Sequence, residues 1–153
     1  SPEALLDLCF ALQDNAAITP YYFYMCDMIP FSEHWRLSLA EAQALQHAIM
    51  GYLPGFATPR LVCDVPLVGK RWVHQAEGYD RELGISFWRK NYRTSLEAAD
   101  EALSREYVYY DPIYTLPPGG QAWWHATSDQ AAAHDAAVDA AASSRLASAA
   151  QLV

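Results

Sequence analysis

The chain has 153 residues, 52% of them hydrophobic and 18% charged, a composition that supports a packed core and excludes an intrinsically disordered polypeptide. A net charge of −8 argues against a general nucleic-acid surface, which needs clustered Lys and Arg. No stretch approaches the roughly 20 apolar residues of a membrane span, and Ser1-Pro2-Glu3-Ala4 lacks the basic and apolar start of a secretion signal, so a cytoplasmic protein is expected.

Residues 2–13 read as a helix. Ser1 caps it, Pro2 suits the first helical position, and Leu5, Leu8, Cys9 and Leu12 recur at helical spacing before a stop at Asp14-Asn15. The run Tyr21-Tyr22-Phe23-Tyr24-Met25-Cys26 suits a strand buried on both faces, chiefly core packing, and ends at Asp27. Ser38 and Glu41 form a capping box for a second helix, lined by Leu39, Ala42, Leu45 and Ile49 and closed by Gly51. Leu61-Val62-Cys63 reads as another buried strand, ending at Asp64. Beyond Lys70 the pattern weakens. Residues 85–92 suit a strand or an irregular aromatic segment, 95–105 a short helix, and 107–124, broken by Pro117-Pro118-Gly119-Gly120, an extended arm pinned by Trp123-Trp124. From Ala126 alanine dominates, and a frayed or solvated helical tail is expected.

Helix and strand in alternation point to an α/β fold with a parallel sheet or β/α barrel. Both buried strands finish with Cys-Asp, and in parallel architectures the carboxyl-terminal strand ends gather the ligand-binding loops. If the strands are neighbours, Asp27 and Asp64 share one pocket. The sequence from Pro20 to Asp27, followed by Glu33-His34-Trp35-Arg36, resembles the lysine 2,3-aminomutase family, which carries P-Y-Y-x-Y-x-C-D and then E-H-F-R. A second block, Gly51, Gly55, Pro59, Val62-Cys63-Asp64-Val65-Pro66 and Gly69-Lys70, is similar to the family's G…G…P-x-x-V-x-D-x-P and its glycine-rich approach to lysine.

The resemblance covers residues 1–92 and implies a partial, open β/α barrel there; composition adds an irregular arm over 93–125 and the alanine-rich tail over 126–153. It implies an isomerase that moves an amino group between adjacent carbons of a lysine-like diamino acid. By the same resemblance, Lys70 holds pyridoxal phosphate as a Schiff base, and Asp27 and Asp64 grip the side-chain ammonium of the substrate. A carboxylate pair converging on one pocket favours a cation between its members, which suits a diamino acid. Arg71 beside Lys70 is expected to lower the pKa of the amine and so favour its reactive form.

The family's radical chemistry uses S-adenosylmethionine and a [4Fe-4S] cluster on a C-x-x-x-C-x-x-C motif that this sequence does not contain. The chain is therefore expected to be a fragment that does not complete the reaction alone. Cys9, Cys26 and Cys63 fit neither a disulfide framework nor a zinc motif and read as small buried thiols, and the five histidines show no metal-ligand spacing. Glu33 to Arg36 is expected to brace the loop after the first strand through a charged pair and a buried ring. The alternative functional reading is a non-catalytic module that binds pyridoxal phosphate or a diamino acid. Expected partners are the diamino acid and either further copies of the chain or a protein supplying the missing half-barrel, because an open barrel exposes strand edges.

Overall fold

The computed structural model describes residues 1–127, with the side chains of Ala99 and Asp100 left aside; the expected tail from residue 128 on lies outside the described residues. Helix α1 spans Pro2–Ala16, with the Ser1 hydroxyl accepting from the Ala4 amide at 3.4 Å. It runs past the expected stop at Asp14-Asn15. Asn15 instead bonds back to the Ala11 carbonyl, and the turn comes at Ala17, whose φ of 52° is left-handed.

Strand β1, Tyr22–Tyr24, lies parallel to β2, Arg60–Val65, in the register Tyr22 to Arg60 and Tyr24 to Val62. Helix α2, Leu39–Ile49, is the crossover between them. Its capping box is complete, with the Ser38 hydroxyl accepting from the Glu41 amide and the Glu41 carboxylate accepting from the Ser38 amide at 2.8 Å. Gln46, buried on α2, fixes the helix to the sheet. Its amide donates to the Pro59 carbonyl, and its carbonyl accepts from the Leu61 amide at 2.5 Å, so a buried polar group carries no unmet demand.

The remaining pairing is antiparallel. Strand β3, Gly69–Trp72, returns from β2 as a hairpin and completes a sheet of order β1-β2-β3. Strands β4 (Gly78–Asp80), β5 (Ile85–Trp88) and β6 (Tyr107–Tyr110) form a second sheet in that order, and helix α3 spans Ala99–Ser104. Among the described residues the six strands thus form two three-stranded sheets that do not close into a barrel. The segment expected as an extended arm contributes β6 and helix α4, Pro118–Ala126. Pairing of β6 with β5 ties together residues on either side of position 92.

The alternation of side chains explains which faces are buried. Leu61, Cys63 and Val65 of β2 face inward with Met25 and meet Leu39 and Ala42 of α2 and Trp88, Tyr107 and Tyr109 of the second sheet in one core. On the other face of that second sheet, Ile85 and Phe87 pack with Val108, Tyr110, Trp123 and Trp124. The Trp124 indole donates to the Leu83 carbonyl at 2.9 Å and meets the Tyr110 ring edge-on, which is the pinning role expected of this pair.

Candidate functional site

The site is built on the face of the first sheet that points away from the core. In the register of β1, β2 and β3, that face carries Tyr22, Tyr24, Arg60, Val62, Asp64, Lys70 and Trp72; Val62 is buried and Trp72 packs against the core, so its open part is formed by Tyr22, Tyr24, Arg60, Asp64 and Lys70. The tyrosine run is therefore not buried on both faces: Tyr21 is 71% and Tyr24 54% exposed, and only Phe23 and Met25 turn toward the core. The signal was present in the sequence, since Tyr22 and Tyr24 stand two residues apart.

Asp64 does not end its strand, as expected, but sits one residue inside it, directly opposite Lys70. The hairpin between them is a tight turn closed by the Val68 amide on the Val65 carbonyl at 3.0 Å. Pro66 takes its second position, where a fixed φ suits it, and Leu67 the third, with φ 64°. Gly69, at φ 82°, then starts β3. Lys70 is held by a strand. Its ammonium lies 4.8 Å from the centre of the Tyr24 ring and 5.5 Å from that of Tyr22, a cation–π cradle on an exposed face.

Hydrogen bonding to Tyr24 raises the Lys70 pKa above the ordinary lysine value, with Asp64 adding to the effect and desolvation opposing it. The expected lowering by Arg71 does not occur. Alternation turns Arg71 to the opposite face of the sheet, where it donates to the Lys70 carbonyl at 2.8 Å and to the Asn91 side chain, and stacks 5.5 Å from the Tyr92 ring centre. Asp27 is exposed and follows Tyr24 by three residues, at the same carboxyl-terminal end of the parallel pair; its carbonyl accepts from the Ile29 amide. The structure thus brings Asp64 and Lys70 together with Tyr22 and Tyr24. Among the described residues no side-chain hydrogen bond or ion pair joins Asp27 to this group.

Glu33 to Arg36 departs from expectation. Glu33–Trp35 forms a 3-10 turn, Trp35 is 70% exposed, and it is Arg36 that is buried. The expected charged pair does not form, because the Arg36 guanidinium instead donates to the Tyr110 carbonyl, 74 residues away. Cys9 and Cys63 are buried free thiols, as expected, while Cys26 is half-buried. Burial, reinforced by the neighbouring Asp64 charge, pushes the Cys63 thiol up to about 12, which disfavours the thiolate a metal needs. No cluster of three metal-ligating side chains occurs among the described residues, so these residues do not fit an iron–sulfur cluster. No described helix is long and apolar enough to cross a membrane.

Comparison with known proteins finds a 52-residue stretch that is 35% identical to the L-lysine 2,3-aminomutase of Methanococcus maripaludis. The similarity is to an aminomutase. It covers 34% of this chain and 12% of that protein, so only a small part of the relative's length is represented. No family model matches the chain, and no solved structure matches it.

Proposed function

We propose that this chain is the carboxyl-terminal, substrate-facing part of a lysine 2,3-aminomutase-like enzyme, an open portion of an α/β barrel. The observation that carries the reading is the pairing of Asp64 with Lys70 across a hairpin, on the open face of a sheet whose parallel strands also deliver Asp27 at their carboxyl-terminal end. Asp27 and Asp64 would receive the side-chain ammonium of a lysine-like diamino acid. Lys70 would hold pyridoxal phosphate by condensing its amine with the cofactor's aldehyde and releasing water, and the bound group would supply imine chemistry toward substrate amines.

On this reading, Tyr22 and Tyr24 flank the lysine and orient its amine by ring contact. Tyr24, with Asp64, also holds it in the charged form, so it must lose a proton before it can act as a nucleophile. No set among the described residues fits the radical-generating cluster, and the chain alone is not expected to complete an amino-group migration.

The sequence contains only two lysines, Lys70 and Lys90, which provides an internal control. Lys90 is ion-paired to Glu97, and its side chain is only 7% exposed. Incubation of the full chain with pyridoxal phosphate, borohydride reduction and peptide mapping should place the pyridoxyl group on Lys70 in preference to Lys90. Tyr24→Phe should lower the pH at which that adduct forms. An adduct shared equally by both lysines would sink the proposal. A second reading, a binding module without turnover, is favoured by the raised Lys70 pKa. Saturable lysine binding, weakened by Asp64→Asn and accompanied by no adduct, would select it.

A further inference from the structure

A cavity of about 450 Å³ opens between the Glu33–Trp35 turn, the segment after β6 and helix α4. Glu33, Arg36, Asp111, Tyr114, Gln121 and His125 line it, and none of them belongs to the group around Lys70. A volume in this range suits a small ligand.

Arg36 is what makes this cavity unusual. The residue is 7% exposed, yet its Nε–H has no hydrogen-bond acceptor. One terminal nitrogen donates to the Tyr110 carbonyl at 2.5 Å, and the guanidinium lies 5.4 Å from the Tyr109 ring centre. Among the described residues no carboxylate is within ion-pair distance of it; the ion pairs there are Arg89 with Glu106 and Lys90 with Glu97. A guanidinium cannot shed its proton, so a buried one calls for an anion.

The acidic lining decides the kind of anion. Both oxygens of Asp111 are already engaged, one by the Leu39 amide at 2.8 Å and the other by the Tyr79 hydroxyl at 2.5 Å. Glu33 uses one oxygen for the Phe31 amide and has the other left, and Gln121 spends its amide nitrogen on the Leu116 carbonyl. A simple anion drawn to Arg36 would be repelled by Glu33 and Asp111, and a simple cation drawn to them would meet Arg36.

We propose that this cavity binds a small zwitterion of the α-amino-acid class, its carboxylate on Arg36 and its ammonium beside Glu33 and the Gln121 side-chain oxygen, near Asp111. The site is independent of the reading given for Lys70.

Isothermal titration of the full chain with glycine, L-alanine and L-leucine tests it, with propionate and propylamine as half-ligands. At least one amino acid should bind saturably, and each half-ligand should bind about ten-fold more weakly or worse. Glu33 is exposed, so Glu33→Gln should fold normally; it should weaken the amino acid about ten-fold and leave propionate no weaker. Lys70→Ala should change none of these affinities, which separates this cavity from the face of the first sheet. No saturable binding by any of the three amino acids, propionate binding as tightly as alanine, or wild-type affinity in Glu33→Gln would each overturn the proposal.

Discussion

The two sheets use the same number of strands and opposite plans. In the second sheet both faces are covered: Ser86, Trp88, Tyr107 and Tyr109 face the shared core, while Ile85, Phe87, Val108 and Tyr110 face helix α4. In the first sheet the face opposite the core is covered only in part: Val62 is buried there and Trp72 packs against the core, while Tyr24, Asp64 and Lys70 are exposed beside a half-buried Tyr22. A sheet packed on both sides can hold its neighbours in place but has no room for a ligand. The half-covered sheet gives up burial and gains a surface on which charged groups stay hydrated and reactive.

The sharpest test of that contrast is a pair of truncations. Trp88 is fully buried, and its indole donates to the Ser86 hydroxyl at 2.8 Å, so Trp88→Ala should cost about 3–5 kcal/mol in urea unfolding. Tyr24→Ala on the open face should stay within about 0.5 kcal/mol. Equal losses would mean that the open face is covered in solution.

Helix α4 gives the next effect. A Cβ at Gly120 would overlap the Glu82 carbonyl, a backbone atom that cannot swing aside, so Gly120→Ala should lift α4 off the second sheet and cost about 2 kcal/mol or more. Trp124 fluorescence should report the loss, and an unchanged unfolding midpoint would count against the docking described here.

Asp111 sits at the seam between the sheets and sets a pH signature. Burial pushes its carboxyl up to about 6, with hydrogen bonds from Tyr79 and Leu39 pulling the other way. Because the folded chain holds this proton more tightly than the unfolded chain does, stability attributable to Asp111 grows as pH falls from about 6 toward the ordinary value of 3.8, and the cost of the buried charge is complete above that window. Relative to Asp111→Asn, the wild type should gain about 2 kcal/mol between pH 7.5 and pH 4.5. Glu97 acts with the opposite sign: the Lys90 ammonium holds its carboxyl at about 2, and that contribution fades in acid in both proteins alike. A flat difference between the two proteins would remove Asp111 as the cause.

The smallest expected change lies in the hairpin that aligns Asp64 with Lys70. Leu67 has a left-handed backbone and a side chain 73% exposed, so Leu67→Gly should relieve strain without losing packing and gain about 0.5–1 kcal/mol. A loss of stability would show that Leu67 makes a contact in solution.

Local signals were the readable ones. Ser38 and Glu41 mark the start of α2 because a capping box is complete within four residues, and Pro2 and Ser1 mark α1 in the same way. The parallel pair was also legible, since both strands are short apolar runs separated by a helix. What the sequence hid was pairing at a distance. Nothing near Tyr107 says that it meets Trp88, so β6 read as an arm, and nothing near Arg36 names Tyr110 as its acceptor. For the candidate site, the resemblance singled out Asp64 and Lys70, which the structure places opposite one another. Their shared face depended on seeing Pro66 and Gly69 as a hairpin turn, and that turn is also what sends Arg71 to the other side.

The hydrogen bond from the Leu39 amide to Asp111 spans 72 residues and supplies the first turn of α2 with a carboxylate from beyond β6. During synthesis, α2 leaves the ribosome long before its distant acceptor does. Gln46 can engage Pro59 and Leu61 as soon as β2 follows, but the acceptor for the first turn of the helix arrives only after β6. Docking of the last strand is therefore also the moment at which the amino end of the crossover helix gains its long-range acceptor.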